Sequence, residues 1–161
     1  MARRLALALL GVLAIAACSP PPEDGEALAP TAPVTAGNAG LAATLLAVFD
    51  GDTLLVRSDG DEEEVRLLGI NAPERDECFG DQAHAALQEL LADKSLRIDT
   101  DGERDQYGRL LAYAYAGPTL VNLALLETGA ALALHDDHPR LDDFLGAGET
   151  AYAYGRGMWS P

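Results

Sequence analysis

A chain of 161 residues, 48% of them hydrophobic, has room for one globular domain and a tail but not for two domains of ordinary size. Its formal net charge of −15 and its single lysine, Lys94, exclude a protein that gathers polyanions by long-range attraction. His84, His135 and His138 stand in no zinc-like spacing with cysteine, so a Cys/His zinc centre is excluded as well.

The opening MARRLALALLGVLAIAAC places Arg3 and Arg4 before an apolar run from Leu5 to Ala17. That run has the length of a signal-peptide core and is short for a bilayer span. Its last residues, Ile15 to Cys18, resemble the lipobox of bacterial lipoproteins, which implies cleavage before Cys18 and a lipid on that cysteine. The alternative is a plain secretory signal cut nearby. Residues 1–17 are thus expected to be a signal peptide, 18–41 the lipidated cysteine with a disordered Pro/Ala-rich tether, and 42–161 the globular domain. The expected location is the cell envelope, by lipid anchor, or a soluble secreted form if Cys18 is unmodified. With Cys18 lipidated, Cys78 has no intramolecular partner and is expected to be a small buried hydrophobe.

In the domain, Ala43 to Phe49 reads as a strand, Asp50-Gly51 as a turn, and Thr53 to Arg57 as a second strand ending in the hairpin signal SDGD, Ser58 to Asp61. Glu64 to Ile70 makes a third strand. Phe79, Ala83, Ala86, Leu87, Leu90 and Leu91 recur at helical spacing and predict a helix over roughly Asp81 to Ala92. Ser95 to Thr100 alternates like a strand, and so does RLLAYAYA from Arg109. Thr119 to Thr128 is predicted helical with Gly129 as its stop; Ala130 to Leu134 is compatible with a helical continuation or a short strand. A last helix is predicted from Pro139, with Leu141, Phe144, Leu145 and Tyr152 on one face. A meander continuing into a small closed sheet with helices packed on it is α+β, and a five-stranded barrel of the OB type with about three helices fits that order.

Charged residues then collect at the strand ends. On the third strand, alternation puts Arg66 on the face of Leu68 and Ile70, and a guanidinium turned inward needs an anion at hand. Asp52 begins the second strand, Asn71 and Glu74 flank the end of the third, and Arg109 begins a later strand beside the loop of Asp105. One rim of a barrel gathers these into oxygen ligands beside two arginines. Such oxygens suit a hard cation such as Ca²⁺, and two planar arginine forks suit a phosphate. A carboxylate with no tight metal bond can hold or deprotonate an attacking water, and the reaction that follows is metal-assisted phosphodiester hydrolysis.

DGDT at Asp50 to Thr53, VRLLGINAPE at Val65 to Glu74, DQYGRLLAY at Asp105 to Tyr113, LVNLALLETGAA at Leu120 to Ala131 and the terminal GMWS resemble, in order, the blocks of staphylococcal (thermonuclease-like) nucleases. The resemblance implies an OB-fold barrel with three helices and a calcium-dependent endonuclease that cuts DNA and RNA to 3′-phosphates. It implies one Ca²⁺, held by the Asp52 side chain and the Ala72 backbone carbonyl, with Asn71 where the family commonly has a second aspartate ligand. It further implies Glu74 as general base or water positioner, Arg66 and Arg109 as the phosphate grip, Asp50 behind the ligands, and Tyr107 against the nucleotide.

Asn71 still offers an amide oxygen but removes one negative charge, so weaker calcium binding is expected. Where relatives place nucleotide-contacting tyrosines, this chain has LHDDHP, Leu134 to Pro139, with His135 and Asp137. The expected partners are a DNA or RNA substrate and, through Cys18, a membrane, the chain being a monomer with no obligate protein partner. A barrel that has lost catalysis and serves as a tethered nucleic-acid- or protein-binding module is the alternative.

Overall fold

The computed structural model describes residues 40–161. The expected signal peptide, the lipidated Cys18 and nearly all of the tether fall on residues 1–39, outside the described residues. In chain order the elements are β1 (Leu41–Val48), β2 (Thr53–Ser58), β3 (Asp61–Leu67), β4 (Ile70–Asn71), α1 (Gly80–Leu91), β5 (Leu96–Asp99), β6 (Leu110–Ala116), β7 (Thr119–Leu120), α2 (Val121–Glu127), β8 (Leu132–Ala133) and α3 (Leu141–Ala153).

β1, β2 and β3 form an antiparallel meander, β5 and β6 pair antiparallel, β5 returns to β1, and β3 meets β6 in parallel. The result is a closed five-stranded barrel of mixed sense with three helices, the α+β architecture of an OB fold. β1 serves two partners, pairing Leu41 to Ala43 with β5 and Thr44 to Val48 with β2. A register shift between Leu45 and Ala47 bends it from one to the other, as a bulge does at barrel corners. The β2–β3 turn takes positive φ at Asp59 and Gly60, 52° and 97°, the backbone sense that matches strand twist in a two-residue hairpin.

Alternation supplies the core. Leu54 and Val56, Val65 and Leu67, Leu96 and Ile98, and Leu110, Ala112, Ala114 and Ala116 all point inward. Ala83, Leu87 and Leu91 of α1, Val121, Leu125 and Leu126 of α2, and Phe144 of α3 cover the barrel. The small alanines of β6 let α2 lie close, and one polar group crosses that contact. Asn122, wholly buried, accepts from the Ala114 N–H at 3.0 Å and donates to the carbonyls of Leu68 at 2.9 Å and Ala112 at 3.3 Å. It ties α2 to the seam where β3 and β6 close the barrel.

The structure departs from the sequence expectations in four places and decides one that the sequence left open. The third strand stops at Leu67 rather than running to Ile70, because Leu68 and Gly69 form a turn with φ 75° at Gly69. Ile70–Asn71 then pairs with Leu132–Ala133, which decides the open reading of Ala130 to Leu134 in favour of a short strand. Thr119 and Leu120 pair with β6 before the helix begins at Val121. α3 starts at Leu141, Pro139 lying ahead of it, and its buried residues are Phe144 and Ala151; Tyr152 points outward, edge-on to Trp159 at 5.2 Å. Cys78 is exposed rather than buried.

His138 explains the turn at Gly69. A Cβ at residue 69 would lie 2.5 Å from the His138 Nε2, so the imidazole occupies the space that glycine leaves free. The ring hydrogen-bonds the Tyr113 hydroxyl through Nδ1 at 2.9 Å and packs on Phe144, and its burial lowers its pKa despite Asp136 and Asp137.

Asn122→Leu keeps the volume and strips the buried Ala114 N–H and Leu68 carbonyl of their partners. The expected loss is about 3 kcal/mol or more in urea-induced unfolding, at about 1–3 kcal/mol for each stranded group.

Candidate phosphodiester-hydrolysis site

The β1–β2 connection is a tight loop whose backbone is closed by Phe49 N–H to the Thr53 carbonyl at 2.9 Å and by Asp52 N–H to Asp50 Oδ1 at 2.9 Å. Gly51 sits at its tip because a Cβ there would come within 2.5 Å of Ala72 Cβ and 2.7 Å of Ala83 Cβ. The loop is thereby pressed against the segment after β4 and against α1, and Asp52 is carried inward.

Asp52 is 4% exposed. Its Oδ1 accepts from Thr53 Oγ1 at 3.1 Å; its Oδ2 accepts from the Ala72 N–H at 2.6 Å and lies 3.0 Å from Arg66 Nη2. Arg66 is the residue paired with Thr53 across β2 and β3. Its Nη1 donates to the carbonyls of Leu67 and Ile70 at 3.0 and 2.9 Å, and its Nη2 donates to Asn71 Oδ1 at 3.0 Å. The guanidinium closes the Leu68–Gly69 turn from outside, so Arg66 does not share a face with Leu68 and Ile70 as an unbroken strand would require. Ile70 is in the core.

Arg109 comes from the other side. Its N–H and Nε donate to the two oxygens of Asp105 at 3.0 and 2.7 Å, while its Nη1 reaches Thr53 Oγ1 at 3.5 Å. Tyr107 is 76% exposed with its ring 5.4 Å from the guanidinium carbon. The structure therefore brings together Asp50, Asp52, Arg66, Asn71, Ala72, Asp105, Tyr107 and Arg109. Thr53, unremarked in the sequence, is the hydroxyl that links the two halves. Its only sequence signal was the DGDT block, in which the aspartates drew attention.

Glu74 stands apart. It is exposed in the loop after Ala72 and, among the described residues, its carboxylate is hydrogen-bonded to neither arginine. Its backbone is nevertheless held: a Cβ at Gly80 would meet the Glu74 carbonyl oxygen at 1.8 Å, so the start of α1 fits only against this loop because residue 80 is glycine. His135, Asp136 and Asp137 are exposed in the loop before α3.

The electrostatics distinguish the two acid–arginine pairs. Burial, only partly offset by Arg66 and the Ala72 N–H, pushes the Asp52 carboxyl up to about 6. Burial acts the same way on Asp105, but the Arg109 guanidinium and the N–H groups of Arg109 and Tyr107 outweigh it and hold that carboxyl below the usual carboxylate range. Arg109 in turn is raised: burial opposes its charge, yet Asp105, then Asp52 and Glu64, more than compensate.

A buried carboxylate short of positive charge, with an amide oxygen at Asn71 and a carbonyl at Ala72 close by in the chain, is an all-oxygen donor set that fits a hard cation. Among the described residues no three Asp, Glu, His or Cys side chains converge as a metal-holding group. Asp52 is the one charged member of that donor set, because residue 71 is asparagine.

Arg66→Met leaves Asp52 buried and unpaired, so in chelator near pH 7.5 it is expected to cost about 3–5 kcal/mol in urea unfolding. The folded state binds the Asp52 proton more tightly than the unfolded chain does. The carboxylate's cost is therefore present above pH 6 and is relieved as pH falls through that value. The deficit of the variant relative to the parent is expected to shrink at pH 5.

A profile of the Staphylococcal nuclease homologue family matches residues 64–161, more than half of the chain. An uncharacterized endonuclease of Haemophilus influenzae is 34% identical over 114 residues, covering 70% of this chain and 63% of that protein. The thermonuclease of Staphylococcus intermedius is 36% identical over 93 residues, 53% of this chain and 55% of the enzyme. The SPbeta prophage-derived endonuclease YokF of Bacillus subtilis is 33% identical over 128 residues, 73% of this chain and 43% of that protein. The chain thus spans less than two thirds of the length of each of these relatives. The closed barrel, the order of the sequence blocks and the profile match agree, and the chain belongs to the staphylococcal nuclease family.

Proposed function

We propose that the chain is a calcium-dependent endonuclease that hydrolyses phosphodiester bonds of DNA or RNA, leaving 3′-phosphates, and that it is exported and held at the cell envelope by a lipid on Cys18. The observation that carries the catalytic reading is the convergence of Arg66 and Arg109, from different strand ends, on the Asp52–Thr53 corner. The relatives named as endonucleases and thermonuclease support it.

The roles follow from position and chemistry. Arg66 and Arg109 present planar donor forks that match phosphate oxygens and the charge that accumulates on phosphorus-bound oxygen as a nucleophile adds. Both are held by carboxylates before substrate arrives, so little ordering is needed during reaction. Glu74, exposed in the loop after Ala72, takes a proton from the attacking water or aligns it, and the P–O5′ bond breaks to leave the phosphate on the 3′ side. Asp52, Asn71 Oδ1 and the Ala72 carbonyl would hold the cation, which when bound supplies positive charge beside the phosphate. Asp50, which receives the Asp52 N–H, sets the loop that presents Asp52.

The export reading rests on Arg3, Arg4, the apolar run and the Ile15 to Cys18 sequence. Among the described residues no helix is long and apolar enough to cross a membrane. In this reading the anchor is the lipid alone.

Incubated with single-stranded DNA or RNA, the chain is expected to cleave in calcium and not in chelator. Glu74→Gln is expected to lower kcat by about 10²–10⁴-fold with the fold intact. Binding without cleavage under every calcium concentration, by a folded chain, would instead favour the non-catalytic module. Cys18→Ser is expected to move the protein from the membrane fraction of the expressing cell to a soluble fraction.

A further inference from the structure

We propose that this chain grips its substrate at one phosphodiester and its adjoining bases, with no ionic track beyond it. Short single-stranded oligonucleotides are then cleaved as efficiently as polymers, and salt inhibits only as steeply as one phosphodiester grip allows. The inference rests on the nuclease reading above and concerns what that site takes.

The argument starts from where the positive charges go. Among the described residues seven of the eight arginines lie within 4.0 Å of a carboxylate, so cations that would form a phosphate track are already engaged. Arg104 shows the pattern: both of its Nη atoms bind Glu63, at 2.9 and 3.0 Å, and Nη1 also donates to the Gly108 carbonyl at 2.8 Å. That arginine ties the loop of Asp105 and Tyr107 to β3, its exposed guanidinium shared with Glu63. Arg97 lies over the Tyr115 ring at 3.9 Å with Asp99 beside it, and Arg140 reaches the hydroxyl of the same tyrosine at 3.1 Å. These are struts between elements.

The nuclease reading sets two guanidinium groups against substrate, each sharing its charge with a carboxylate, Asp52 or Asp105, while the eighth arginine, Arg156, donates to the Glu127 carbonyl at 3.0 Å and Lys94 is exposed. On a single strand each neutralised phosphate contributes about −0.7 to the slope of log affinity against log salt. Two shared contacts set a limit of about −1.4. The net charge of −15 acts in the opposite sense: every further phosphate is repelled, and added salt screens that repulsion. Additional nucleotides bring no attraction.

Uncharged contacts supply the remaining grip. Phe49, a 45% exposed aromatic residue, directly precedes Asp50, and its N–H donates to the Thr53 carbonyl, which fixes its backbone at the start of the site loop. Tyr107 is the exposed ring beside Arg109. Base stacking on such rings is tolerant of sequence and independent of ionic pairing.

The test uses the full chain at fixed saturating calcium, with single-stranded DNA of about 4, 10 and 30 nucleotides and sodium chloride from about 0.05 to 1 M. The expected result is kcat/KM per scissile bond within about threefold across the lengths, with a log–log salt slope no steeper than about −1.4. Phe49→Ala is expected to raise KM about tenfold with kcat within about twofold and an unchanged melting temperature. A slope of about −3 or steeper, or a 30-mer favoured at least tenfold per bond, overturns the inference while leaving the nuclease reading standing. An unaltered KM in Phe49→Ala overturns the stacking contact. Absence of cleavage with every substrate, from a folded chain, overturns the nuclease reading and this inference with it.

Discussion

The buried Asp52–Arg66 pair is the contact on which the rest of the site depends. It joins three separate pieces of chain: the loop after β1, the end of β3, and the segment from Ile70 to Ala72. Neither partner is stable there alone, since an arginine cannot shed its proton and a buried carboxylate without a counter-charge is costly. The pair is also incompletely balanced, because burial leaves the Asp52 carboxyl at about 6. Burial thus outweighs the Arg66 charge at this carboxyl, and Asp52 is the acid of the site that its surroundings disfavour in the ionised form.

The same economy governs the other charges. Arg109 is fixed by Asp105 through its backbone and its side chain, and Asp105 also receives the Tyr107 N–H, so one carboxylate shapes the loop and aims the guanidinium. Arg104 binds that loop to β3 through Glu63. Exposed pairs of this kind contribute little to stability individually. Their effect here is positional, and their consequence is an acidic surface on which most of the arginines are shared with carboxylates. Close backbone approaches do complementary work, with Gly51 letting the site loop lie on Ala72 and Ala83 and Gly80 letting α1 begin against Glu74.

Much of this was legible in the linear chain, and the failures have identifiable causes. Period-two alternation located β2, β5 and β6, the SDGD turn located the hairpin, and helical spacing located α1, because those patterns reflect burial against a single core. The run from Val65 to Ile70 misled for the same reason: an apolar stretch looks like one strand whether or not a turn interrupts it, and the signal for the interruption was the lone Gly69. Helical spacing points Tyr152 inward, but Ala151 satisfies that spacing as well, at smaller volume. Asn122 was the missed polar residue. An asparagine amid Val121, Leu123, Leu125 and Leu126 signals a buried amide, but its partners, Leu68, Ala112 and Ala114, are distant in sequence or on another element.

By itself the sequence determined the chemistry on offer. It contains two arginines at strand ends, the acids Asp50, Asp52, Glu74 and Asp105, an asparagine where a second acid would add charge, and one lysine. Those are properties of residue identity and order, which no packing changes. Only the tertiary structure decided which of these groups meet. Hydrogen bonds and ion pairs act over a few ångströms, and the barrel's parallel β3–β6 seam, closed across some 45 residues of chain, brings Arg109 within reach of Thr53.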